Sequence, residues 1–226
     1  MAQSPCFSFC ALAFLTLSLA APPVSAAESG SVEGEFGFFT KDASGKRIAL
    51  AGFETKNIVA YLVPDGHEVP LKAPGVHARV ALKEARFVPE TIIVTKGQTV
   101  DFPNDGKAEQ GVFSFSMAKK FDLGDYPRGT SKSVVFEKEG AVILLCSTHE
   151  NMIGVIYVAP THLNALSDAA GQFRISGVPV GKYKLFTWHK NLPESVEFVE
   201  VAGIDVKNGK PVRVDINLLR AGQKKP

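Results

Sequence analysis

Short apolar runs, separated by Gly, Pro, Asn and Asp, recur along the whole chain. Runs of this length that are rich in Val, Ile, Phe and Tyr and bounded by turn residues are typical of β-strands. No long segment has the 3.6-residue period of an amphipathic helix. The pattern therefore predicts an all-β protein of sandwich type. The predicted strands are residues 31–39, 57–63, 91–95, 98–102, 131–136, 141–145, 153–158, 172–176, 183–188, 196–201 and 212–218.

Composition narrows the picture to an ordinary globular protein. The chain has 226 residues, 45% hydrophobic residues and a formal net charge of +2, which suits one large or two small domains. The basic residues are scattered rather than clustered, so no nucleic-acid partner is expected.

The first 26 residues have the character of a signal peptide. They contain no charged side chain, residues 11–20 are largely apolar, and Val24-Ser25-Ala26 has the small-residue pattern of a cleavage site. The apolar run is short for a bilayer span, which leaves an uncleaved anchor as the alternative. We therefore expect a periplasmic or secreted protein without a stable membrane span after cleavage.

Cleavage would leave one cysteine. Cys6 and Cys10 belong to the predicted signal, so the mature chain keeps Cys146 and forms no internal disulfide. An exposed thiol is prone to oxidation in an oxidising compartment. We expect Cys146 to be buried and inert, or bound to a metal.

The loop between residues 145 and 153 favours a metal-bound Cys146 over an inert buried one. Cys146, His149 and Met152 follow one another at intervals of three residues. Two soft sulfur donors with one imidazole select copper, and they form the loop half of a blue-copper electron-transfer site. The competing interpretation makes Met152 a core residue that fills a gap.

These residues belong to a wider resemblance, which covers residues 76–160. The pieces that carry it are Phe87-Val88-Pro89, Ile92-Ile93-Val94, Gly97, Asn104, Val112-Phe113-Ser114 and Cys146-x-x-His149-x-x-Met152. With these pieces the stretch resembles the cupredoxins, and most closely those of the plastocyanin and amicyanin type and the periplasmic methylamine utilization protein-like cupredoxins. The resemblance implies a Greek-key β-sandwich, bound copper and one-electron exchange with a periplasmic redox protein. It implies that Cys146 couples the electron, His149 lies at the docking side and Met152 is a weak axial ligand.

One ligand position departs from this family. The resemblance implies a histidine six residues beyond Asn104, and Gln110 stands there. An amide oxygen is a harder, weaker donor toward copper than imidazole. Three replacements remain open: the Glu109 carboxylate, a histidine from a flanking segment (His77 or His189), or Gln110 itself. The simpler interpretation makes Glu109 a solvated loop charge, His77 a surface residue and His189 part of the packing of a second sandwich.

The flanks resemble the carboxypeptidase regulatory-like, or transthyretin-like, β-sandwich, on Gly171-Gln172-Phe173, residues 178–183 and Trp188-His189. The predicted organisation is a signal peptide at 1–26, an N-terminal β segment at 28–75, a cupredoxin domain at 76–160, a second, smaller sandwich at 161–220 and a flexible tail at 221–226. Residues 31–63 resemble strands of the second sandwich, which the two ends of the chain would then build together.

No enzyme is expected. The chain lacks a Ser-His-Asp order, a phosphate-binding Gly loop and an H-E-x-x-H helix. Cys146 and His149 would form a nucleophile pair only if they lay side by side with an orienting third group. Asp122 and Asp125 are better explained as turn formers than as an acid pair. The alternative to electron transfer is a metal-free, degenerate cupredoxin that binds carbohydrate or protein.

Overall fold

The computed structural model describes residues 28–50, 54–70, 75–190 and 199–218, and over these ranges it consists of strands, turns and loops without a helix. The predicted all-β class is therefore confirmed. No helix long and apolar enough to cross a bilayer occurs in these ranges. The predicted signal peptide and the predicted tail lie outside the described residues.

Nineteen strands occur among the described residues. The first nine are β1 Ser29–Gly37, β2 Phe39–Lys41, β3 Arg47–Ala49, β4 Val59–Pro64, β5 Ala78–Arg79, β6 Ala81–Lys83, β7 Arg86–Val88, β8 Thr91–Thr95 and β9 Gln98–Pro103. The others are β10 Gln110–Ser114, β11 Phe121–Tyr126, β12 Ser131–Phe136, β13 Gly140–Cys146, β14 Ile153–Ala159, β15 Asn164–Leu166, β16 Gln172–Pro179, β17 Gly181–Trp188, β18 Val199–Val206 and β19 Pro211–Asn217.

The first sandwich contains β5 to β14. A five-stranded sheet in the order β11-β10-β13-β14-β8 faces a three-stranded sheet in the order β12-β9-β5, and β6 and β7 form a hairpin beside them. Alternation along β13 turns Val142, Leu144 and Cys146 into the core between the sheets. Cys146 is therefore the last inward-facing residue of a buried strand.

A second β unit forms from both ends of the chain. One sheet has the order β16-β1-β19, so that β1 lies between an antiparallel and a parallel neighbour from the C-terminal part. The other sheet has the order β15-β4-β17-β18. A separate apolar core joins the two sheets and includes Val32, Phe36, Leu62, Phe173 and Leu185. The first sandwich is thus inserted between β4 and β15.

An apolar junction joins the two sandwiches. The outward face of β14 contributes Tyr157, whose ring centroid lies 5.2 Å from that of Trp188 on β17 and 5.8 Å from that of Tyr61 on β4. Val59 and Val155 are buried in the same cluster. Burial of this aromatic and aliphatic surface fixes the two sandwiches against each other.

Most predicted strands occur near their expected positions, with two differences. The strand predicted to end at residue 176 continues through a β-bulge at Gly177, which has φ 66°, to Pro179. Its partner β1 correspondingly shifts register between Gly30 and Ser31. The strand predicted at 196–201 corresponds to β18, Val199–Val206, which extends five residues beyond the predicted end. Residues 196–198 lie outside the described part.

Candidate metal centre

The β13–β14 loop brings the three predicted loop ligands to one end of the first sandwich. Cys146 ends β13 and is 7% exposed, and Met152 is 2% exposed in the same apolar cluster. A backbone hydrogen bond from Met152 N to His149 O, 3.0 Å long, closes the turn between them. His149 is exposed. The thiol and thioether are thus shielded, and the imidazole lies at the surface.

The Cys146 thiol is surrounded by polar atoms. Its Sγ lies 3.6 Å from His149 Nδ1, 3.4 Å from Thr148 Oγ1 and 3.7 Å from Gln110 Oε1. Sulfur, imidazole nitrogen and amide oxygen therefore converge on one small region. Thr148 Oγ1 also lies 3.0 Å from His149 Nδ1. The Thr148 hydroxyl therefore contacts the same imidazole nitrogen that faces the thiol. Nothing in the sequence pattern had singled out Thr148.

Gln110 approaches the thiol from the neighbouring strand. It begins β10, and Val112 of that strand pairs with Cys146 of β13. The side chain is 3% exposed, and its Nε2 donates a hydrogen bond to Asn104 Oδ1 at 2.8 Å. Asn104, which is completely buried, in turn donates through Nδ2 to the carbonyl oxygens of Ala108 at 2.9 Å and Tyr126 at 2.8 Å.

A second set of hydrogen bonds connects the ligand loop to β10. Ser147 Oγ accepts the Gly111 N–H at 2.8 Å and donates to Asp125 Oδ1 at 2.5 Å. Gly111 is required here, since a Cβ at that position would lie 2.4 Å from the Gly124 carbonyl oxygen. Asp122 accepts the Gly124 N–H at 2.8 Å, which is the expected turn role. Asp125 instead anchors the ligand loop, a role that its sequence position did not indicate.

A cavity of about 300 Å³ lies beside the centre. Its lining includes both Gln110 and His149, together with the small residues Ala85, Gly106 and Ala108. Lys107 and Glu84 complete it. The side of the centre between the amide and the imidazole is therefore open to a small molecule.

The other proposed ligands lie elsewhere. His77 Nδ1 is 2.9 Å from Asp101 Oδ1, and Glu109 is exposed. His189 is buried at the end of β17 in the second sandwich, where burial lowers its pKa. Among the described contacts of the Cys146 thiol, none involves these three residues. Gln110 is the replacement that reaches the thiol.

The donor set suits copper better than harder metals. No cluster of three or more His, Cys, Asp or Glu side chains able to hold a metal occurs in the described ranges. Cys146, His149 and Gln110 converge at the loop, and Met152 is buried in the same apolar cluster as Cys146. Of these four candidate donors two are sulfur and one is imidazole. Thiolate and thioether select Cu(I), and imidazole also suits copper. These residues fit a copper ion.

Thiol catalysis has weaker support from the same geometry. Cys146 and His149 do lie side by side, as a nucleophile pair would require. Thr148, however, contacts the Nδ1 atom that faces the thiol, and no hydrogen bond to Nε2 is found among the described residues. A base needs a third group that orients it from the far side, as in the serine and cysteine triads.

Burial also affects the phenol beneath the centre. Tyr126 donates to the Phe102 carbonyl oxygen at 2.8 Å. Burial raises the pKa of Tyr126, and the neighbouring Cys146 raises that pKa further. Tyr126 is therefore neutral across the physiological pH range. Its hydrogen bond to Phe102 holds the ring in place in the core next to the site.

Comparison with known proteins identifies similar folds. No protein-family model and no curated protein matches the sequence. A purple cupredoxin from Nitrosopumilus maritimus is similar in structure, with 22% identity, a TM-score of 0.34 and coverage of 36% of this chain and 99% of that chain. A copper-containing nitrite reductase from Thermus scotoductus has 22% identity and a TM-score of 0.36, and covers 41% of this chain and 25% of its own. A fern plastocyanin mutant has 20% identity and a TM-score of 0.33, and covers 36% of this chain and all of its own. These values describe a likeness of fold, and nothing about function follows from them.

Proposed function

We propose that this chain is an exported, cupredoxin-like copper protein that carries single electrons. The observation that carries the proposal is the convergence of Gln110 Oε1 and His149 Nδ1 on Cys146 Sγ, at 3.7 and 3.6 Å. A lone buried cysteine would need no such neighbours. Copper bound there would supply a centre that changes oxidation state by one electron.

The protein's own residues would hold that centre in a fixed geometry. Cys146 is the last residue of β13, and Gln110 is the first residue of β10. A hydrogen bond from the Gly111 N–H to Ser147 Oγ connects the loop to β10. Donors on strand ends that are held by further hydrogen bonds rearrange little when the charge at the centre changes. The exposed His149 would lie where a periplasmic redox partner docks, and Met152 would be a weak donor to the copper.

The same proposal includes export and the absence of catalysis. Residues 1–26 would be removed as a signal peptide, leaving Cys146 as the one thiol of the mature chain. Neither nucleic acid nor a stable membrane span is part of the proposal. The second sandwich would position the copper-binding sandwich or bind its partner.

Copper titration of the purified protein tests the proposal. Wild type is titrated with Cu(I) and Cu(II) while the visible thiolate-to-copper band is followed, beside Cys146→Ala and Gln110→His. We expect wild type to bind one copper with a coloured Cu(II) form, and Cys146→Ala to lose the colour. Gln110→His should bind more tightly, since imidazole is the better donor. If only Gln110→His binds, the centre in the natural sequence is a relic.

The metal-free alternative has one structural feature in its favour. An open cavity of about 550 Å³ lies on the sheet that contains β1 and β16, with Glu33, Arg174 and Asp215 in its lining. Charged side chains of both signs at such a surface suit a polar partner such as a carbohydrate or a protein segment. A protein that binds no copper in either oxidation state would be pursued as this kind of binding module.

A further inference from the structure

We propose that Asn104 is a positioning residue that orients the Gln110 carboxamide, so that its oxygen and not its NH₂ group faces Cys146 and a bound metal. This inference rests on the proposed copper centre for its consequence. The orientation itself can be measured in the metal-free protein. It decides whether Gln110 is a ligand at all.

The orientation of Asn104 is fixed by backbone carbonyl groups. Its Nδ2 lies 2.9 Å from the Ala108 oxygen and 2.8 Å from the Tyr126 oxygen. Carbonyl oxygens only accept hydrogen bonds, so the NH₂ group of Asn104 must face them. Its Oδ1 therefore points the other way, where it accepts the Gly106 N–H at 3.0 Å.

The orientation of Gln110 follows from that of Asn104. Asn104 Oδ1 is an acceptor, so the Gln110 atom 2.8 Å from it must be the donor Nε2. Both amides are buried, and reversing either would place acceptor against acceptor or donor against donor. The Gln110 oxygen is left on the opposite side, 3.7 Å from Cys146 Sγ.

A steric observation supports the same arrangement. A Cβ at Gly106 would lie 2.3 Å from Gln110 Nε2 and 3.0 Å from Asn104 Oδ1. The two amides therefore occupy a narrow slot against the backbone of residue 106, which is open because that residue has no side chain. The slot and the hydrogen bonds together hold the Gln110 side chain in one place.

The chemical consequence concerns metal binding. An amide oxygen has lone pairs for a metal, whereas an amide NH₂ group presents hydrogens and has no free acceptor. With Asn104 in place, the donor set facing the centre includes oxygen. With the amide reversed, Gln110 would oppose a cation instead of binding it.

A double-mutant cycle tests the positioning role. Copper dissociation constants are measured by chelator competition for wild type, Asn104→Ala, Gln110→His and the double variant. When residue 110 is the natural Gln, Asn104→Ala should weaken copper binding on the order of 10- to 100-fold, as expected for loss of a residue that supports a ligand. In the Gln110→His background, Asn104→Ala should weaken copper binding by less than about threefold, because an imidazole ligand needs no amide orientation. Equal weakening in both backgrounds would make Asn104 a general loop support and overturn the proposal.

A matched control addresses damage to the fold. Ser114 is buried at the other end of β10, where its Oγ accepts the Ser116 N–H at 3.2 Å. Ser114→Ala removes a buried polar group of the same sandwich far along the strand from the centre, and it should leave the copper dissociation constant unchanged. A comparable loss of affinity in Ser114→Ala would show that the Asn104 effect is not specific and would count against the proposal.

Nuclear magnetic resonance of the metal-free wild type tests the orientation without any variant of Asn104. The Gln110 NH₂ protons should show contacts to the Gly106 α-protons, and they should exchange with water at least about 10-fold more slowly than those of the exposed Gln172. Contacts to the Cys146 β-protons instead would overturn the proposal. If the expected contacts occur but copper does not bind, the orientation stands and the copper function fails.

Discussion

Buried polar side chains have different partners in the two sandwiches. In the second β unit two buried hydroxyl groups bond to the backbone: Thr187 Oγ1 donates to the Val59 carbonyl at 2.9 Å, and Ser167 Oγ donates to the Thr55 carbonyl at 2.6 Å. Each bond fixes one strand or loop to another. These side chains replace backbone hydrogen bonds that the sheets leave unmade.

At the ligand end of the first sandwich, buried polar side chains also meet one another. Asn104 bonds to Gln110, and Gln110 reaches the Cys146 thiol. Most side-chain hydrogen bonds in proteins go to the backbone or to water, and few connect two side chains. A buried chain of side chains that ends at a thiol therefore distinguishes a site from structural polar burial. The comparison predicts that stability and copper binding can be perturbed separately.

The largest stability loss is expected at the apolar junction. Tyr157→Ala removes a buried ring that packs on Trp188 and Tyr61, and should lower the free energy of unfolding by about 3–5 kcal/mol. Copper affinity should stay within about threefold of wild type, because the ring faces away from the core that contains Cys146. Chemical denaturation and chelator competition measure the two quantities.

Ile153→Ala is the matched control for this change. Ile153 lies on the same strand and the same face but is 52% exposed. Its truncation should cost below about 1 kcal/mol, since little area is withdrawn from water at that position. If Tyr157→Ala abolished copper binding while the protein stayed folded, the two sandwiches would not be separable in this way.

A smaller loss is expected from the buried hydroxyl of the second sandwich. Ser167 Oγ also accepts the Ile58 N–H at 2.8 Å, so Ser167→Ala leaves a buried backbone donor and the Thr55 carbonyl without this partner. Removing one partner of a buried bond costs about 1–3 kcal/mol. Denaturation should show this loss with no change in copper affinity. A change in affinity would contradict the assignment of this hydroxyl to structure alone.

Crowding the amide slot should affect binding more than stability. Gly106→Ala would place a methyl group 2.3 Å from Gln110 Nε2 and push the carboxamide out of line. We expect copper affinity to fall on the order of 10-fold, which is about 1.4 kcal/mol, as for other disturbances of ligand support. Gly75→Ala, where a Cβ would meet nothing within 4 Å, is the control. Unchanged affinity in Gly106→Ala would show that the slot does not constrain Gln110.

Local patterns predicted much of the fold and three of the four candidate donors of the centre. The strands at Thr91–Thr95 and Ser131–Phe136 follow from apolar runs between turns. Cys146, His149 and Met152 share one loop, so their spacing alone indicated a possible ligand group. Local geometry carries this information because the residues are close in sequence.

Gln110 was indicated by the family resemblance, six residues beyond Asn104, but its contact with the thiol depends on tertiary register. Gln110 reaches Cys146 across 36 positions because Val112 of β10 pairs with Cys146 of β13. No sequence spacing encodes that pairing, nor the contact of Ser147 with Asp125. The junction did leave a signal: the apolar residues of β14 run without interruption, which is typical of a strand covered on both faces. Such a run indicates a strand buried on both faces, and only the fold shows which layer covers its outer side.

The smallest expected effect concerns the buried His189 beside the second sandwich. Burial lowers the pKa of His189 below its ordinary value of 6.5, while Glu54 raises that pKa and Lys190 lowers it. As the pH falls, His189 therefore becomes protonated near pH 6.5 in the unfolded chain and only at a lower pH in the folded chain. Stability is full above about pH 6.5 and falls as the pH drops toward the lowered folded value, by at most about 1.4 kcal/mol per pH unit.

Denaturation of the metal-free protein between about pH 7.5 and 5.5 measures this effect. Wild type should lose stability relative to His189→Gln as the pH falls, because glutamine does not titrate. Parallel curves for wild type and His189→Gln would mean that the folded protein accepts the proton on His189 without cost. Burial would then not be what controls the protonation of this side chain, and the opposing effect of Glu54 would offset it.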